Sequence, residues 1–241
     1  ISEICGIDSE SARHLKILEI GFGKTDFMMY LREKFNADVS GVSISNEQVK
    51  FARSRGFKAY HMNCWDMRPG DIGKYDVILQ CGNIEYLRLA GYSEKEVYTK
   101  YGNVIKTLLE PNGKFFVTGL HNNPDFYGLR SLGINDLMNI YLLWKGNDGA
   151  YPYGVDGFSE HFQNIGFKKT YCEERTNDYY IYSGLWMSSL ANAYTDLCRT
   201  GYGMKNLVKA LVRTIGAPYY IHTYLCYIPH RIMEKQPWVW Q

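Results

Sequence analysis

ILEIGFG, residues 17–23, is an apolar run that stops at a Gly-x-Gly turn, and a helix-forming stretch begins at once near Thr25. Two glycines between a buried strand and a helix let backbone N–H groups approach a ligand closely, while the helix N-terminus adds partial positive charge. The second decisive run, VSGVSISNEQVKFARSRG at 39–56, reads as another buried strand, a tight loop, a capped helix and a glycine stop. Ser45 with Gln48 three residues later fits a capping box, and Gly56 stands where a C-terminal cap belongs. Together the two runs make a βαβα unit. A nicotinamide-type dinucleotide site asks for a third glycine at position 26 and an acid near the end of the second strand, whereas the chain has Asp26 and Ser43. A Gly-x-Gly turn alone does not settle the ligand, so the discrimination rests on the tip of the second strand.

The same pattern continues along the chain. Residues 58–62 read as a third strand, YDVILQ at 75–80 as a fourth and KFFVT at 114–118 as a fifth, each made mainly of apolar or β-prone residues, as strands covered on both faces are. Residues 93–109 form the helix between the last two, with Ser93 and Glu96 as a second capping box and Pro111-Asn112-Gly113 ending it. Residues 166–172 read as a sixth strand and PWVWQ, at the C-terminus, as a seventh at the sheet edge. An open parallel sheet places ligands at the carboxyl ends of its strands.

Composition bounds the function. No Pro-, Ser- or charge-rich linker interrupts the 241 residues, which predicts a single α/β domain over 1–241. Lys plus Arg number 27 against 25 Asp plus Glu, and a net charge of +2 gives no footprint for nucleic acid. The six cysteines form no CxxC pair and several fall in apolar runs, which predicts reduced core thiols and no metal site. No apolar stretch reaches the roughly 18 residues that a membrane span needs, and no signal peptide is visible. The expected compartment is therefore intracellular and reducing: cytoplasm or an organelle matrix such as the mitochondrial one, with peripheral contact to a membrane.

ILEIGFG followed by GVSISNEQVKFARSRG resembles the first two motifs of class I S-adenosylmethionine-dependent methyltransferases, and GVSxSxEQxxxAR resembles in particular the cyclopropane fatty acid synthase and mycolic acid methyltransferase family. Downstream landmarks agree in order and spacing: CWD at 64–66, QCGNIEYL at 80–87, LLEPNGKFFVTGL at 108–120, YPYG at 151–154 and DYYIYSGLW at 178–186. The likeness covers nearly the whole chain. It implies a Rossmann-like α/β fold with a seven-stranded, mostly parallel sheet, helices on both faces and a helical substrate cap between strands 5 and 6. Residues 1–120 then form the cofactor-binding half, 121–165 the cap insertion, and 166–241 a C-terminal part that completes sheet and pocket.

The resemblance assigns roles residue by residue. Gly21 and Gly23 form the turn beneath the methionine part of S-adenosylmethionine, and Glu19 fixes that loop or meets the cofactor's ammonium. The family usually has a third small residue here, where this chain has Thr25. Ser43 and Gln48 match positions that hold the ribose hydroxyls by neutral hydrogen bonds, though Gln48 serves equally as a capping residue. Trp65 and Asp66 offer an aromatic face and a carboxylate, which suit an adenine ring and its exocyclic amine. Glu85 in GNIEYL matches the glutamate of the family's GxxEH motif near the transferred methyl, where a carboxylate stabilises the carbocation formed when an alkene attacks, or orients a base. Relatives use bound bicarbonate as that base; Tyr86 and Val117 stand where two histidines of the family's pattern would be, with His121 four residues beyond Val117. In the aromatic helix matched by residues 178–186, spacing from Trp186 selects Tyr179 and spacing from Asp178 selects Tyr180 as the tyrosine nearest the reacting centre. Tyrosine faces also favour cationic intermediates.

Two segments speak to substrate. INDLMNIYLLW at 134–144 is rich in long apolar and aromatic side chains and suits an acyl chain. Residues 204–215 put Met204, Leu207, Val208, Leu211, Val212 and Ile215 on one helical face and Lys205, Lys209 and Arg213 on another, a pattern that docks on an anionic lipid surface or simply packs a surface helix. The reading is methyl transfer to an unsaturated lipid acyl chain, by C-methylation or cyclopropanation. Two alternatives stand beside it: a small-molecule N-, O- or C-methyltransferase, and a catalytically degenerate subunit of a larger assembly, suggested by Thr25, Tyr86 and Val117. About sixteen residues precede the first strand, whereas members of that family carry a longer N-terminal segment over the cofactor, so the resemblance implies that a segment beyond Ile1 or another chain covers it.

Overall fold

The structure, a computed structural model, describes residues 1–87, 91–122, 157–173, 175 and 238–240. Five strands, β1 (Lys16–Ile20), β2 (Asp38–Ser43), β3 (Lys58–His61), β4 (Tyr75–Cys81) and β5 (Leu109–Thr118), form one sheet in the order β3-β2-β1-β4-β5. Every pairing in it is parallel. Parallel neighbours need crossovers, and α2 (Asp26–Phe35), α3 (Asn46–Ser54) and α5 (Glu94–Leu108) supply them. Shorter helices are α1 (Ser2–Cys5) and α4 (Pro69–Ile72), and α6 (Gly157–Asn164) follows later in the chain.

The central strands are apolar almost throughout because both faces are covered. Side-chain alternation sends Leu18, Ile20, Val42 and Ile78 to one face, where they meet Ile72 of α4, Tyr98, Tyr101 and Ile105 of α5, and Phe162 of α6. Ile17, Val39, Val77 and Leu79 go to the other face, against Met28 and Leu31 of α2 and Val49 and Ala52 of α3. At about 2 kcal/mol for each buried aliphatic side chain, these two layers are what holds the sheet together. Strand order reverses between β1 and β4, which opens a crevice at their carboxyl ends.

The helix signals have distinct outcomes. At α5 the capping box is complete: Ser93 N–H donates to Glu96 Oε2 (2.8 Å) and Glu96 N–H to Ser93 Oγ (3.4 Å). At α3 only half of it forms. Ser45 Oγ accepts from Gln48 N–H (3.4 Å), but the Gln48 carbonyl oxygen is taken by the Ser43 hydroxyl (2.6 Å). Gly56, at φ +78°, follows the last turn of α3 in the left-handed conformation that stops a helix. Pro111-Asn112-Gly113 does not separate helix from strand: Leu109 already pairs with Tyr75 and Lys114 with Val77, so the residues between bulge out of β5.

Two strand expectations are corrected. Beyond Gly166 the backbone of residues 167–173 joins no strand; Phe167 turns in to Phe162 (ring centroids 5.7 Å) and Phe115 (6.4 Å), and Lys168, Lys169 and Thr170 are exposed. The C-terminal run forms β7 (Trp238–Trp240), but it pairs with β6 (Leu120–Asn122) in a separate two-stranded sheet. Among the described residues the main sheet thus has five strands, where seven were expected. The cysteine expectation also changes: Cys5 is a core thiol, Cys64 and Cys81 are half-buried and Cys172 is exposed. The apolar run 134–144, the helix 204–215, Cys198 and Cys226 lie outside the described residues. The chain divides into two compact units, one of residues 1–120, 150–152 and 156–172, the other of 121–149, 153–155 and 173–241. The five-stranded sheet belongs to the first of these units.

Candidate functional site

The crevice is built around the loop that leaves β1. Gly21 N–H donates to Val42 O (2.8 Å), tying the loop to β2, and Thr25 N–H closes the turn on Phe22 O (2.9 Å). Phe22 is buried and packs against Gly41, anchoring the loop in the core. Gly21 (φ +73°) and Gly23 (φ +54°) take left-handed conformations; a Cβ on Gly21 would overlap the Asn83 amide, whereas one on Gly23 would meet nothing within 4 Å. Thr25 shares the left-handed conformation at φ +69°, a strained setting for a β-branched residue, and its buried Oγ1 has no hydrogen-bond partner among the described residues. The backbone N–H groups of Phe22, Gly23 and Lys24 have no acceptor among the described residues. A run of backbone amides without acceptors beside a helix N-terminus suits an anion.

Glu19, next to last in β1, supplies the opposite charge. It is 6% exposed, and its Oε2 has no hydrogen-bond partner among the described residues. Burial, and then the charge of Asp26, push its carboxyl up to about 7. Burial, and then Glu19 itself, push the Cys81 thiol at the end of β4 up to about 12. Among the described residues no group neutralises the Glu19 carboxyl when it ionises, a setting that favours a bound cation.

At the tip of β2, Ser43 is buried and internally satisfied: its hydroxyl donates to Gln48 Oε1 (2.6 Å) and accepts from Ser45 N–H (3.1 Å). Gln48 keeps its side-chain NH2 as the donor not engaged in these bonds. Ile44 between them is 73% exposed, the highest value among the exposed large apolar side chains of the described residues. Sequence patterning passed over it, because an apolar residue in a strand reads as core. It directly follows the carboxyl end of β2.

Trp65 and Asp66 lie in the 3₁₀ turn Cys64–Asp66, which Asn63 caps by accepting from Trp65 N–H (3.1 Å). Trp65 is half-buried and meets the Tyr101 ring nearly edge to face at 5.4 Å, so part of its surface is spent on the core. Asp66 is exposed. Glu85 lies in the next 3₁₀ turn, Ile84–Tyr86, beyond β4; its side chain, and Tyr179 and Tyr180, lie outside the described residues. Of the positions that bear on the bicarbonate expectation, Tyr86 is exposed and Val117 half-buried in β5, and the Glu85 side chain lies outside the described residues. At the end of β5, the Thr118 carbonyl and hydroxyl oxygens both accept from Gly82 N–H (3.0 and 3.2 Å), fixing the approach to the turn that carries Glu85. Among the described residues no group of three or more His, Cys, Asp or Glu is placed to hold a metal ion. Sequence reasoning also missed Gln80, Asn83 and Tyr101, which are linked by hydrogen bonds beneath the loop. The signal was a glutamine ending an otherwise apolar strand, a buried amide that must find partners.

The fold matches that of known proteins. Among solved structures, a cyclopropane synthase from Mycobacterium tuberculosis superposes with a TM-score of 0.70 at 14% identity, covering 94% of this chain and 76% of that one. A mycolic acid cyclopropane synthase complexed with SAH and CTAB gives 0.68 at 17% identity, covering 94% and 75%. This is the Rossmann-like methyltransferase fold. At such identities the likeness is one of fold. In sequence, a protein-lysine N-methyltransferase of Saccharomyces cerevisiae is 23% identical over 125 residues, 47% of this chain. That alignment spans 55% of the yeast protein, so the chain covers little more than half the length of the curated relative it matches. No protein-family model matches the chain.

Proposed function

We propose that the chain binds S-adenosylmethionine at the β1–β4 crevice and directs its methyl group to an unsaturated acyl chain of a lipid, by C-methylation or cyclopropanation. The observation that carries the cofactor is the pairing, at one loop, of a buried carboxylate and three backbone amides that have no hydrogen-bond partner among the described residues. One suits an ammonium and the other a carboxylate, and the methionine end of the cofactor carries both. These features fit the group.

When bound, the cofactor supplies a methyl group activated by a sulfonium. The chain's own residues hold it. The amides of Phe22, Gly23 and Lys24 take its carboxylate, and Glu19, in its ionised form, meets its ammonium. The Gln48 amide donates to a ribose hydroxyl, while Ser43 holds Gln48 in place. Ile44 and the open part of Trp65 cover the adenine, with Asp66 accepting from its exocyclic amine. At the substrate end Glu85 offsets positive charge developing on the alkene, and positioning with exclusion of water supplies most of the acceleration.

The lipid is supported by the apolar run 134–144 and by the likeness in fold to a cyclopropane synthase and a mycolic acid cyclopropane synthase. A second reading, methyl transfer to nitrogen of a lysine or a small amine, is favoured by the match to the lysine methyltransferase. Cells expressing the chain and fed isotope-labelled methionine separate the two by mass spectrometry. A labelled gain of one methylene in membrane acyl chains supports the lipid. Label confined to protein lysine or a small metabolite overturns it in favour of nitrogen, and label in none of these leaves a scaffold.

A further inference from the structure

Beneath the glycine loop runs a chain of side-chain hydrogen bonds that the cofactor reading does not use. Tyr101, fully buried on α5, donates its hydroxyl to Gln80 Oε1 (2.8 Å). Gln80, 1% exposed, donates its amide to Asn83 Oδ1 (2.7 Å), and Asn83 donates in turn to the carbonyl of Ile20 (3.0 Å), the last residue of β1. The polarity of this relay is fixed from the β1 end. Ile20 O only accepts, so Asn83 must face it with its NH2 and turn its oxygen to Gln80. Gln80 then gives its NH2 to Asn83 and its oxygen to Tyr101, whose hydroxyl donates. No member can turn its amide over without leaving a buried polar group unpaired.

Two details show that the relay serves the crevice. Asn83 stands at the N-cap of the turn Ile84–Tyr86, where asparagine normally accepts a hydrogen bond from the turn's own backbone, yet its side chain makes no such bond. It reaches back instead to β1, where its Nδ2 lies so close over Gly21 that any Cβ there would strike it. Asn83 is half-buried and Gly21 exposed, in contrast to the sealed Gln80 and Tyr101 beneath them.

On the cofactor reading above, we propose that Asn83 is a binding residue for the amino-acid portion of S-adenosylmethionine: its second amide hydrogen is offered to an acceptor oxygen of that portion over Gly21, and Gln80 and Tyr101 are positioning residues that hold the donor side of the amide toward it. The ligand chemistry follows from the donor. A locked N–H beside backbone amides that have no acceptor among the described residues selects an oxygen anion, and it discriminates against ligands that have the nucleoside but no carboxylate.

Calorimetric titrations test this with two probes, S-adenosylhomocysteine and 5′-methylthioadenosine, which share the nucleoside and differ in the amino-acid portion. Asn83→Ala is expected to weaken S-adenosylhomocysteine about tenfold, the scale of a lost charge-assisted hydrogen bond, with 5′-methylthioadenosine within twofold of wild type. Tyr101→Phe, which keeps the ring and removes only the anchoring donor, is expected to weaken S-adenosylhomocysteine severalfold and to leave 5′-methylthioadenosine unchanged. Equal weakening of both probes shows a merely structural role and overturns the proposal, as does unchanged affinity in Asn83→Ala. Should Tyr101→Phe not fold, the half-buried Asn83→Ala still decides the binding role. If wild type binds neither probe, the cofactor reading fails and takes this inference with it; if wild type binds and the variants match it, the inference fails alone.

Discussion

Glu19→Gln is expected to make the ligand-free protein more stable at pH 8 and to change little at pH 4.5. The carboxyl of Glu19 ionises near 7 in the folded chain, against an ordinary 4.5, because burial and then Asp26 disfavour its charge. Between those two values the folded state holds a proton that the unfolded chain has released, so this group's contribution to stability falls as pH rises from about 4.5 to about 7, then stays constant. The interval is about 2.5 pH units at ~1.4 kcal/mol each, so the charged side chain costs the folded state about 3 kcal/mol at pH 8. Glutamine has nearly the same shape and no charge to desolvate. The predicted gain is about 2 to 3 kcal/mol at pH 8, reduced toward the lower figure by the desolvation of an amide lacking a partner. Urea unfolding of both proteins from pH 4.5 to pH 8 measures it, and the difference between the two curves cancels every other titrating group. A difference that is flat in pH, or a variant that becomes less stable as pH rises, refutes the assignment of Glu19 as a buried charge with no neutralising partner among the described residues. The same residue carries a functional cost, since the variant loses the group that meets the cofactor's ammonium.

Linkage gives a companion prediction: wild-type affinity for S-adenosylhomocysteine, read by calorimetry, rises as pH passes from 6 to 8, because the ligand's ammonium favours ionised Glu19, and Glu19→Gln flattens that profile. Gly21→Ala places a Cβ in the space of the Asn83 amide at a positive φ, so a loss of about 2 kcal/mol or more in urea unfolding, together with loss of S-adenosylhomocysteine binding, is expected. Ile44→Ser removes an apolar side chain that is 73% exposed without ligand, so stability stays within about 0.5 kcal/mol while S-adenosylhomocysteine affinity drops severalfold. Ser93→Ala breaks the complete capping box of α5 and lowers stability by about 1 kcal/mol in the same assay, with binding unchanged.

The cofactor half was legible because its rules are local. ILEI and YDVIL are covered on both faces and so read as mainly apolar strands, with Glu19 and Asp76 the exceptions, and Ser93 with Glu96 marks a helix start by the spacing of two hydrogen bonds. The run 166–172 failed the same test: β-prone residues make a strand only where an edge accepts them, and Phe167 gains more by joining Phe115 and Phe162. The C-terminal Trp238–Trp240 does form a strand, but its partner, Leu120–Asn122, is set by tertiary structure and not by its own residues. In the site, Glu19, Gly21 and Gly23 stood out as a polar residue and two glycines in an apolar run. The Tyr101–Gln80–Asn83 relay did not, because Tyr101 and Gln80 are 21 residues apart and only the packing of α5 on the sheet joins them. Ser43 and Gln48 were visible as candidates, yet their bond to each other, which leaves only the Gln48 amide for a ligand, is a matter of rotamers that no spacing encodes.

The central claim is that the crevice at the ends of β1 and β4 is shaped for a zwitterionic sulfur nucleoside. Calorimetric titration of the wild-type chain with S-adenosylhomocysteine at pH 8, alongside its thermal melt, tests this most directly. The account predicts one ligand per chain and a melting temperature that climbs with ligand concentration, with a stabilisation of about 2.7 kcal/mol at a hundredfold excess over Kd. Neither heat nor a shift in melting at millimolar ligand would contradict it.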